Sequence, residues 1–278
     1  MTGDPHAWEL MAASWNVYRK DKEMILFSLL EWVLILSSFG LFMIAIYSIM
    51  GGRAGILAGA GDKFQSNLFY FGIKPFVALF LWMLAANAAI YFSTAAIVGC
   101  VITRFIGEDP TLETGFRMAF KRLPALLGWA AVVTGLRFLL GLLGRTRIEK
   151  IVADVSNIAF NLLSFFAVPV IIIEGKPPLK ALARSAELLR ETWGKQLVGQ
   201  ISFGAIFGVL MLPGVGLLFT PGWMFKTCGV AYLILAQALY DTLTTVFQTA
   251  LYVYARYKKT PEGFDEELLR AAVHSKTV

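Results

Sequence analysis

Polar side chains recur at helical spacing along three long apolar stretches of this sequence, and they are the residues best placed to do chemistry. The three sets are Asn87, Tyr91 and Thr94; Asp154, Asn157, Asn161 and Ser164; and Gln237, Asp241, Thr244, Gln248 and Tyr252. Successive members of each set are three or four residues apart, so each set shares one face of a helix. Hydrocarbon penalises every one of these groups, and we therefore expect the three faces to point at protein or water.

Two interpretations of these polar faces are open. In the first, the faces line a hydrated path or a solute site between the three helices. In the second, they hold helix to helix by hydrogen bonds, as Asn, Gln, Ser and Thr commonly do at about 0.6 to 2 kcal/mol per contact. The third stretch has more polar positions than packing usually requires. The resulting candidates for a pore or solute path are Asp241, Gln237, Thr244, Gln248, Asn157, Asn161 and Asn87.

Three ionisable side chains lie inside apolar stretches: Glu31, Arg137 and Asp241. A lone charge at the bilayer centre costs at least about 2.5 to 3.5 kcal/mol, so each is expected to find a partner or water. One hypothesis is an ion pair between Arg137 and either Asp154 or Asp241. The other is that Asp241 couples to a proton or a cation. Glu31 lies near one end of its stretch, and we expect it to pair with basic residues at the membrane surface.

The sequence lacks the signatures of common enzyme and metal sites. It has no GxSxG motif, no phosphate-binding glycine loop followed by Lys, and no paired carboxylates at one depth. Cys100 and Cys228 lie in or beside apolar stretches, while His6 and His274 lie near the two ends of the sequence. We therefore expect no enzymatic activity, no cofactor and no metal site.

The composition indicates a membrane protein. Of 278 residues, 57% are hydrophobic and only 16% are charged, and the mean hydropathy is +0.65. Soluble domains typically contain about 25% charged residues. We predict an all-α, polytopic membrane protein with one transmembrane domain over residues 1–278 and a cytoplasmic tail over 255–278. A membrane crossing needs roughly 20 apolar residues. The six predicted spans are about 24–50, 75–106, 124–143, 151–173, 197–219 and 226–254.

Three short amphipathic segments each precede a pair of spans, at about 5–20, 107–124 and 179–193. Each has an apolar face and a charged face, which is typical of a helix lying at a membrane surface. One such helix followed by two spans occurs three times, so the layout predicts a weak threefold tandem repeat. The basic residues expected to contact lipid headgroups are Lys180, Arg184, Arg190, Arg117 and Lys121.

The distribution of basic residues predicts the orientation. Most Lys and Arg residues fall on the same side as the N-terminus, so the positive-inside rule places both termini and the three amphipathic helices in the cytoplasm. Two termini on one side require an even number of spans, which favours six. Basic cytoplasmic flanks also account for the net charge of +6, so no nucleic-acid partner is implied. The expected partners are the lipid bilayer, including anionic lipids, and further copies of the chain in a homo-oligomer.

Three segments resemble an uncharacterised family of prokaryotic integral membrane proteins. They are SWNVYRKDKEMILFSLL (14–30), TGFRMAFKRLPALLGWA (114–130) and VPVIIIEGKPPLKALARSAELLRETWGKQLVG (168–199). The resemblance covers about residues 8–210, and the layout is distantly similar to the membrane domain attached to some glycerophosphoryl diester phosphodiesterases. The resemblance implies a helical fold in the prokaryotic inner membrane, and it brings no catalytic residues with it.

Two functions from different classes remain as hypotheses. The first is an oligomeric channel or a permeation pathway for a small solute or ion, with Asp241, Gln237 and Gln248 as the residues to test. The second is a membrane-organising or lipid-binding scaffold that uses the basic residues of its amphipathic helices. The scaffold predicts that charge reversal at Lys180, Arg184 and Arg190 abolishes association with a partner or with anionic lipid, while Asp241→Asn has no effect.

Overall fold

The computed structural model describes residues 5–49, 72–143, 159–191 and 196–265, and the regular structure in these ranges is entirely helical. This confirms the predicted all-α class. The helices are α1 (Pro5–Lys20), α2 (Ile25–Ile49), α3 (Lys74–Phe105), α4 (Leu112–Lys121), α5 (Leu123–Leu143), α6 (Ala159–Glu174), α7 (Pro178–Glu191), α8 (Gln196–Phe219) and α9 (Trp223–Tyr257).

Four of these helices are long and apolar enough to cross a membrane, namely α2, α3, α5 and α9. They coincide with four of the predicted spans. Helices α6 and α7 pass the same test only as a pair, and the chain bends by 117° between them. Helix α8 has 24 residues, its side chains are described from Gly204 onward, and the apolar segment Gly204–Phe219 is by itself shorter than a span. Length and composition therefore give four spans in the described residues, or five with the bent pair, and do not confirm six spans or the tandem repeat.

Some sequence predictions lie outside the described residues. They are the first part of the span at 151–173 and the end of the tail, from residue 266.

The three amphipathic segments form helices α1, α4 and α7. Each has an apolar face that packs against the bundle and a charged face on the opposite side. In α4, Gly115 and Ala119 are buried on one face, while Arg117 and Lys121 are exposed on the other. The helix begins after Thr111, whose hydroxyl accepts a hydrogen bond from the Thr114 amide at 3.2 Å. Helix α4 is therefore shorter than the predicted segment at 107–124.

The hydrophobic core lies at the end of the bundle that carries α1, α4 and α7. Buried residues concentrate in the second halves of α3 and α9, and at the start of α2. The opposite end presents large apolar side chains outward, among them Leu41 and Ile44 of α2 and Phe219 of α8. At 1.5 Å per residue α9 is about 52 Å long, which exceeds the roughly 30 Å of hydrocarbon in a bilayer. The packed end of α9 therefore extends beyond the hydrocarbon if the rest of the helix spans it.

Ion pairs connect the segment before α2 and the segment after α9 to the packed end of the bundle. Arg104, at the end of α3, donates from Nε to Asp21 Oδ2 at 2.7 Å and from Nη1 to Asp109 at 2.7 Å. Lys20 Nζ lies 2.6 Å from Glu262 Oε1, and this hydrogen bond lowers the pKa of the Glu262 carboxyl below its ordinary value. The two ends of the described chain therefore meet at the packed end of the bundle.

Candidate functional site

A cavity of about 620 Å³ lies between α2, α3, α5, α6 and α9. Six residues proposed from the sequence line it: Glu31, Arg137, Asn161, Asp241, Thr244 and Gln248. Tyr91, Thr94 and Ser164, from the same polar faces, line it as well. Polar positions on three helices that are far apart in the sequence therefore meet at one space. Its volume falls within the roughly 300 to 1,000 Å³ typical of small-molecule sites.

Two other candidates have local structural roles beside the cavity. Asn87 Nδ2 donates to the Met83 carbonyl at 2.9 Å and to Thr134 Oγ1 at 3.2 Å, which joins α3 to α5. Gln237 Nε2 donates to Asp241 Oδ1 at 2.9 Å and so orients that carboxylate from one turn away. Asn87 therefore fits the interpretation of polar residues as contacts between helices. Asp154 and Asn157 lie outside the described residues.

The three charged residues of the cavity do not pair with one another. Arg137 is exposed at the side of the cavity formed by α5 and α6, where its Nη2 donates to Asn161 Oδ1 at 3.3 Å. None of the ion pairs between described residues includes Arg137, Glu31 or Asp241. The hypothesised pair of Arg137 with Asp241 is therefore not formed, because the guanidinium is held by an amide on α6 instead. Glu31, only 7% exposed, likewise has no ion pair with the surface residues expected to meet it.

Helix α6 is interrupted beside the cavity, and side chains from other helices satisfy its free backbone groups. Pro169 has no N–H, so the Phe165 carbonyl loses its partner four residues ahead. Gln248 Nε2 on α9 donates to that carbonyl instead. The Phe166 amide leaves the helical pattern and donates to Ser185 Oγ on α7 at 2.9 Å. An interrupted helix in a membrane requires such replacements, so Gln248 and Ser185 hold the wall of the cavity in place.

Replacing Ser185 with alanine is expected to lower the free energy of unfolding by about 1 to 3 kcal/mol, because a buried backbone N–H loses its acceptor. Ser185 is fully buried, so water cannot take its place without a rearrangement. Thermal unfolding of the detergent-purified protein measures the effect. Ser37→Ala is the matched control, since the Ser37 hydroxyl is exposed and bonds only to its own helix. Equal stability of the two variants would contradict this role of Ser185.

A second polar cluster lies at the end of α6, around the Glu174 carboxylate. Its side chain is 5% exposed and accepts hydrogen bonds from Tyr252 Oη at 2.9 Å and from Arg256 on α9. Lys176 Nζ lies 2.9 Å away and Arg184 Nε lies 3.5 Å away. One nearly buried anion thus holds three basic side chains from α9, α7 and the turn between α6 and α7.

The turn that follows Glu174 requires a glycine. Gly175 has φ +68°, and a Cβ placed on it would come within 2.5 Å of Nη2 of Arg122, which lies between α4 and α5. Only glycine combines this backbone conformation with so close an approach. The turn reverses the chain between α6 and α7, and thereby brings Ser185 to the interruption of α6.

The five residues predicted to contact lipid headgroups differ in their surroundings. Arg184 is turned towards protein, where it contacts Glu174 and lies 2.6 Å from Glu187. The other four are exposed on α4 and α7, and they are Lys180, Arg190, Arg117 and Lys121.

Sequence analysis did not single out two aromatic residues of the cavity, Trp129 and Tyr240. Trp129 is 1% exposed, and its ring centroid lies 6.1 Å from that of Tyr91, with the planes inclined by 60°. Their positions in the sequence could have pointed to them, because Tyr240 directly precedes Asp241 and Trp129 lies about two helical turns before Arg137. Within the described ranges, no three His, Cys, Asp or Glu side chains are grouped closely enough to hold a metal ion.

Comparisons with known proteins identify a family without assigning an activity. A family model described as a family of unknown function, DUF6159, matches residues 73–263, from just before α3 to just beyond α9. No curated protein and no solved structure has a significant match to the chain. The similarity in layout to the membrane domain of glycerophosphoryl diester phosphodiesterases stays a prediction. Because the matched segment covers most of the sequence and all five helices around the cavity except α2, the chain belongs to the family of unknown function DUF6159.

Proposed function

We propose that the protein resides in the prokaryotic inner membrane and moves a small polar solute or an ion across the bilayer. The solute would pass through the cavity between α2, α3, α5, α6 and α9, here called the central cavity. The observation that carries the proposal is the pair of acidic residues, Glu31 and Asp241, which line the cavity and form no ion pair with a basic side chain among the described residues. Ionisable groups are costly within membrane helices, and those that occur there commonly mark pathways for ions, protons or solutes. Asp241 lies near the middle of α9, far from either end of a helix that spans the membrane.

The packing around the cavity favours a gated pathway over a pore that is permanently open. Val98, Ile171 and Tyr252 each lie one turn beyond the last cavity residue of their helices, towards the packed end, and all three are fully buried. A solute in the cavity must displace this layer to reach the packed end of the bundle. We therefore infer that transport requires two conformations, one open to each side.

The proposed arrangement in the membrane has six spans, with α1, α4 and α7 at the cytoplasmic surface in a threefold pattern. The meeting of the two described ends at the packed end supports an even number of crossings, with both termini in the cytoplasm. Close packing of α8 on α9 supports α8 as a span, since a Cβ on Gly229 would lie 2.9 Å from the Gly214 carbonyl. Gly204 and Gly208 have open space in place of a Cβ, which supports a contact of α8 with a second copy in a homo-oligomer.

Flux measurements on purified protein in liposomes test the proposal. Liposomes that contain the protein are expected to release or take up at least one of a panel of small solutes faster than protein-free liposomes do. The panel includes protons, potassium, small organic amines, small carboxylates and neutral polyols. If none of these crosses faster, under either an imposed potential or a pH gradient, the proposal is wrong.

A lipid-binding scaffold is the second candidate, favoured by the exposed face of α4 and α7. Phe120 is 59% exposed beside Lys121, and Leu179 is 68% exposed beside Lys180. Apolar side chains next to basic ones are suited to anionic membrane surfaces. This candidate predicts that reversing the charges of Lys121 and Lys180 releases anionic lipid from the purified protein, as measured by native mass spectrometry. Retention of the lipid by the charge-reversed protein would argue against it.

A further inference from the structure

We propose that the ligand of the central cavity is a small organic ammonium ion that carries one positive charge. The inference rests on the solute site of the proposed function and specifies the chemistry of its solute. Two observations that are independent of each other support it: the balance of charge in the cavity, and the aromatic rings that line it.

The cavity carries one net negative charge when both of its carboxylates are ionised. Glu31 and Asp241 contribute two carboxylates, and Arg137 contributes one positive charge that is already hydrogen-bonded to Asn161 at the exposed side. The Glu31 side chain is nine-tenths buried, faces the cavity and has no basic partner among the described residues. An ionised carboxylate in such surroundings is unstable unless a cation or a proton joins it. With both carboxylates ionised, binding of one monovalent cation brings the net charge of the cavity to zero.

The rings around the carboxylates favour an organic cation over a metal ion. Tyr91, Trp129 and Tyr240 line the same cavity, and rings of this type attract ammonium groups through their π faces. A transition-metal site would need at least a third His, Cys, Asp or Glu ligand, and no group of three such side chains occurs among the described residues. The cavity, at about 620 Å³, also has room for the carbon substituents of an amine.

The two carboxylates contact the cavity from different helices, Asp241 from α9 and Glu31 from α2. Asp241 is oriented by the Gln237 amide, so one of its oxygens is fixed and the carboxylate keeps a constant direction. Glu31, on α2, approaches the same space from a different helix. A primary ammonium group can donate one hydrogen bond to each carboxylate, while a fully alkylated one relies on charge and on the rings.

Binding to the purified full-length protein in detergent tests the inference, with calorimetry and thermal unfolding as the two measurements. The probes are choline, butylamine, the uncharged carbon analogue of choline (dimethylbutanol), potassium chloride and sodium acetate. We expect choline or butylamine to bind and to raise the unfolding temperature, and we expect at least about tenfold weaker binding of dimethylbutanol and of potassium. Comparison of choline with its uncharged analogue uses the wild-type protein alone, so the result does not depend on whether a variant folds.

Two variants locate the site. Glu31→Gln is expected to weaken ammonium binding at least about tenfold, because an amide keeps the shape of the side chain and loses its charge. Glu113→Gln is the control, since Glu113 is an exposed carboxylate on α4 outside the cavity, and its affinity should match the wild type. Equal binding of choline and dimethylbutanol, absence of binding by both ammonium probes, or full affinity in Glu31→Gln would each overturn the inference.

The binding measurements, taken together with the flux measurements in liposomes, separate this inference from the proposed function. Ammonium binding without flux would leave the ligand assignment in place and remove the transport role. Flux of a neutral or anionic solute without ammonium binding would keep the transport role and overturn the ligand assignment.

Discussion

Glu174→Gln is expected to lower the free energy of unfolding by about 3 kcal/mol, which would make it one of the most destabilising single changes in the chain. The Glu174 carboxylate, 5% exposed, is the shared acceptor for Tyr252, Lys176, Arg184 and Arg256. The glutamine keeps the shape of the side chain, but it removes the negative charge that holds three basic groups together. Unfolding of the purified protein by heat or by denaturant measures the loss.

Glu187→Gln provides the matched control for that change. Glu187 also binds Arg184, at 2.6 Å, but its side chain is 60% exposed, so water and salt already screen the pair. An exposed pair of this kind contributes about 0 to 1 kcal/mol. A loss of the same size in both variants would show that Glu174 acts only as a surface partner of Arg184. A much greater loss in Glu174→Gln would mean that the carboxylate fixes the junction of α6, α7 and α9.

Glu174 also illustrates what sequence analysis could and could not provide. The bend after it was foreseeable, because Gly175 and the two prolines that follow end a helix, and because the stripe from Leu179 onward has a helical period. The role of Glu174 as a shared anion was not foreseeable. Its partner Arg256 lies 82 residues away in the sequence, and only the packing of α9 against the bend brings the two together.

The helices themselves followed from two local rules. Long apolar stretches predicted α2, α3, α5 and α9, because backbone groups in hydrocarbon must be paired within a helix. Alternating apolar and charged faces predicted α1 and α7 to within about two residues. The number of crossings did not follow from these rules, because α6 is interrupted and passes the length and composition test only together with α7.

The polar residues were predicted more reliably as a set than as individual partners. Helical spacing identified which side chains share a face, and seven of these residues line one cavity: Tyr91, Thr94, Asn161, Ser164, Asp241, Thr244 and Gln248. The rotation of one helix relative to another is not encoded in spacing, so the pairing of Arg137 with Asn161 was missed. Gln248 was proposed as a solute contact, yet it also replaces a backbone partner that Pro169 removes from α6, a relation between residues 79 positions apart.

Asp241→Asn is expected to reduce solute flux in liposomes at least about tenfold while leaving the protein as stable as the wild type or more stable. The reduction follows because the neutral amide no longer balances a cation, and loss of one charge in a buried pair typically costs 2 kcal/mol or more, which exceeds a factor of ten. Stability should not fall, because Asp241 has no basic partner among the described residues and Gln237 can still donate to the remaining carbonyl oxygen. Flux and thermal unfolding of the same preparation measure both quantities.

The combination of lost flux and retained stability distinguishes a solute-binding carboxylate from a structural one. Thr227→Val is the control on the same helix, since Thr227 is exposed near the start of α9 and its hydroxyl bonds only within the helix. Its flux should equal that of the wild type, and Asp241→Glu should retain part of the flux because the charge remains. Were Asp241→Asn to unfold at a markedly lower temperature and keep its flux per folded molecule, Asp241 would be a packing residue. Loss of flux together with equal or higher stability in Asp241→Asn would instead identify Asp241 as a functional residue. At functional sites a charge that activity requires is commonly retained although it lowers the stability of the fold.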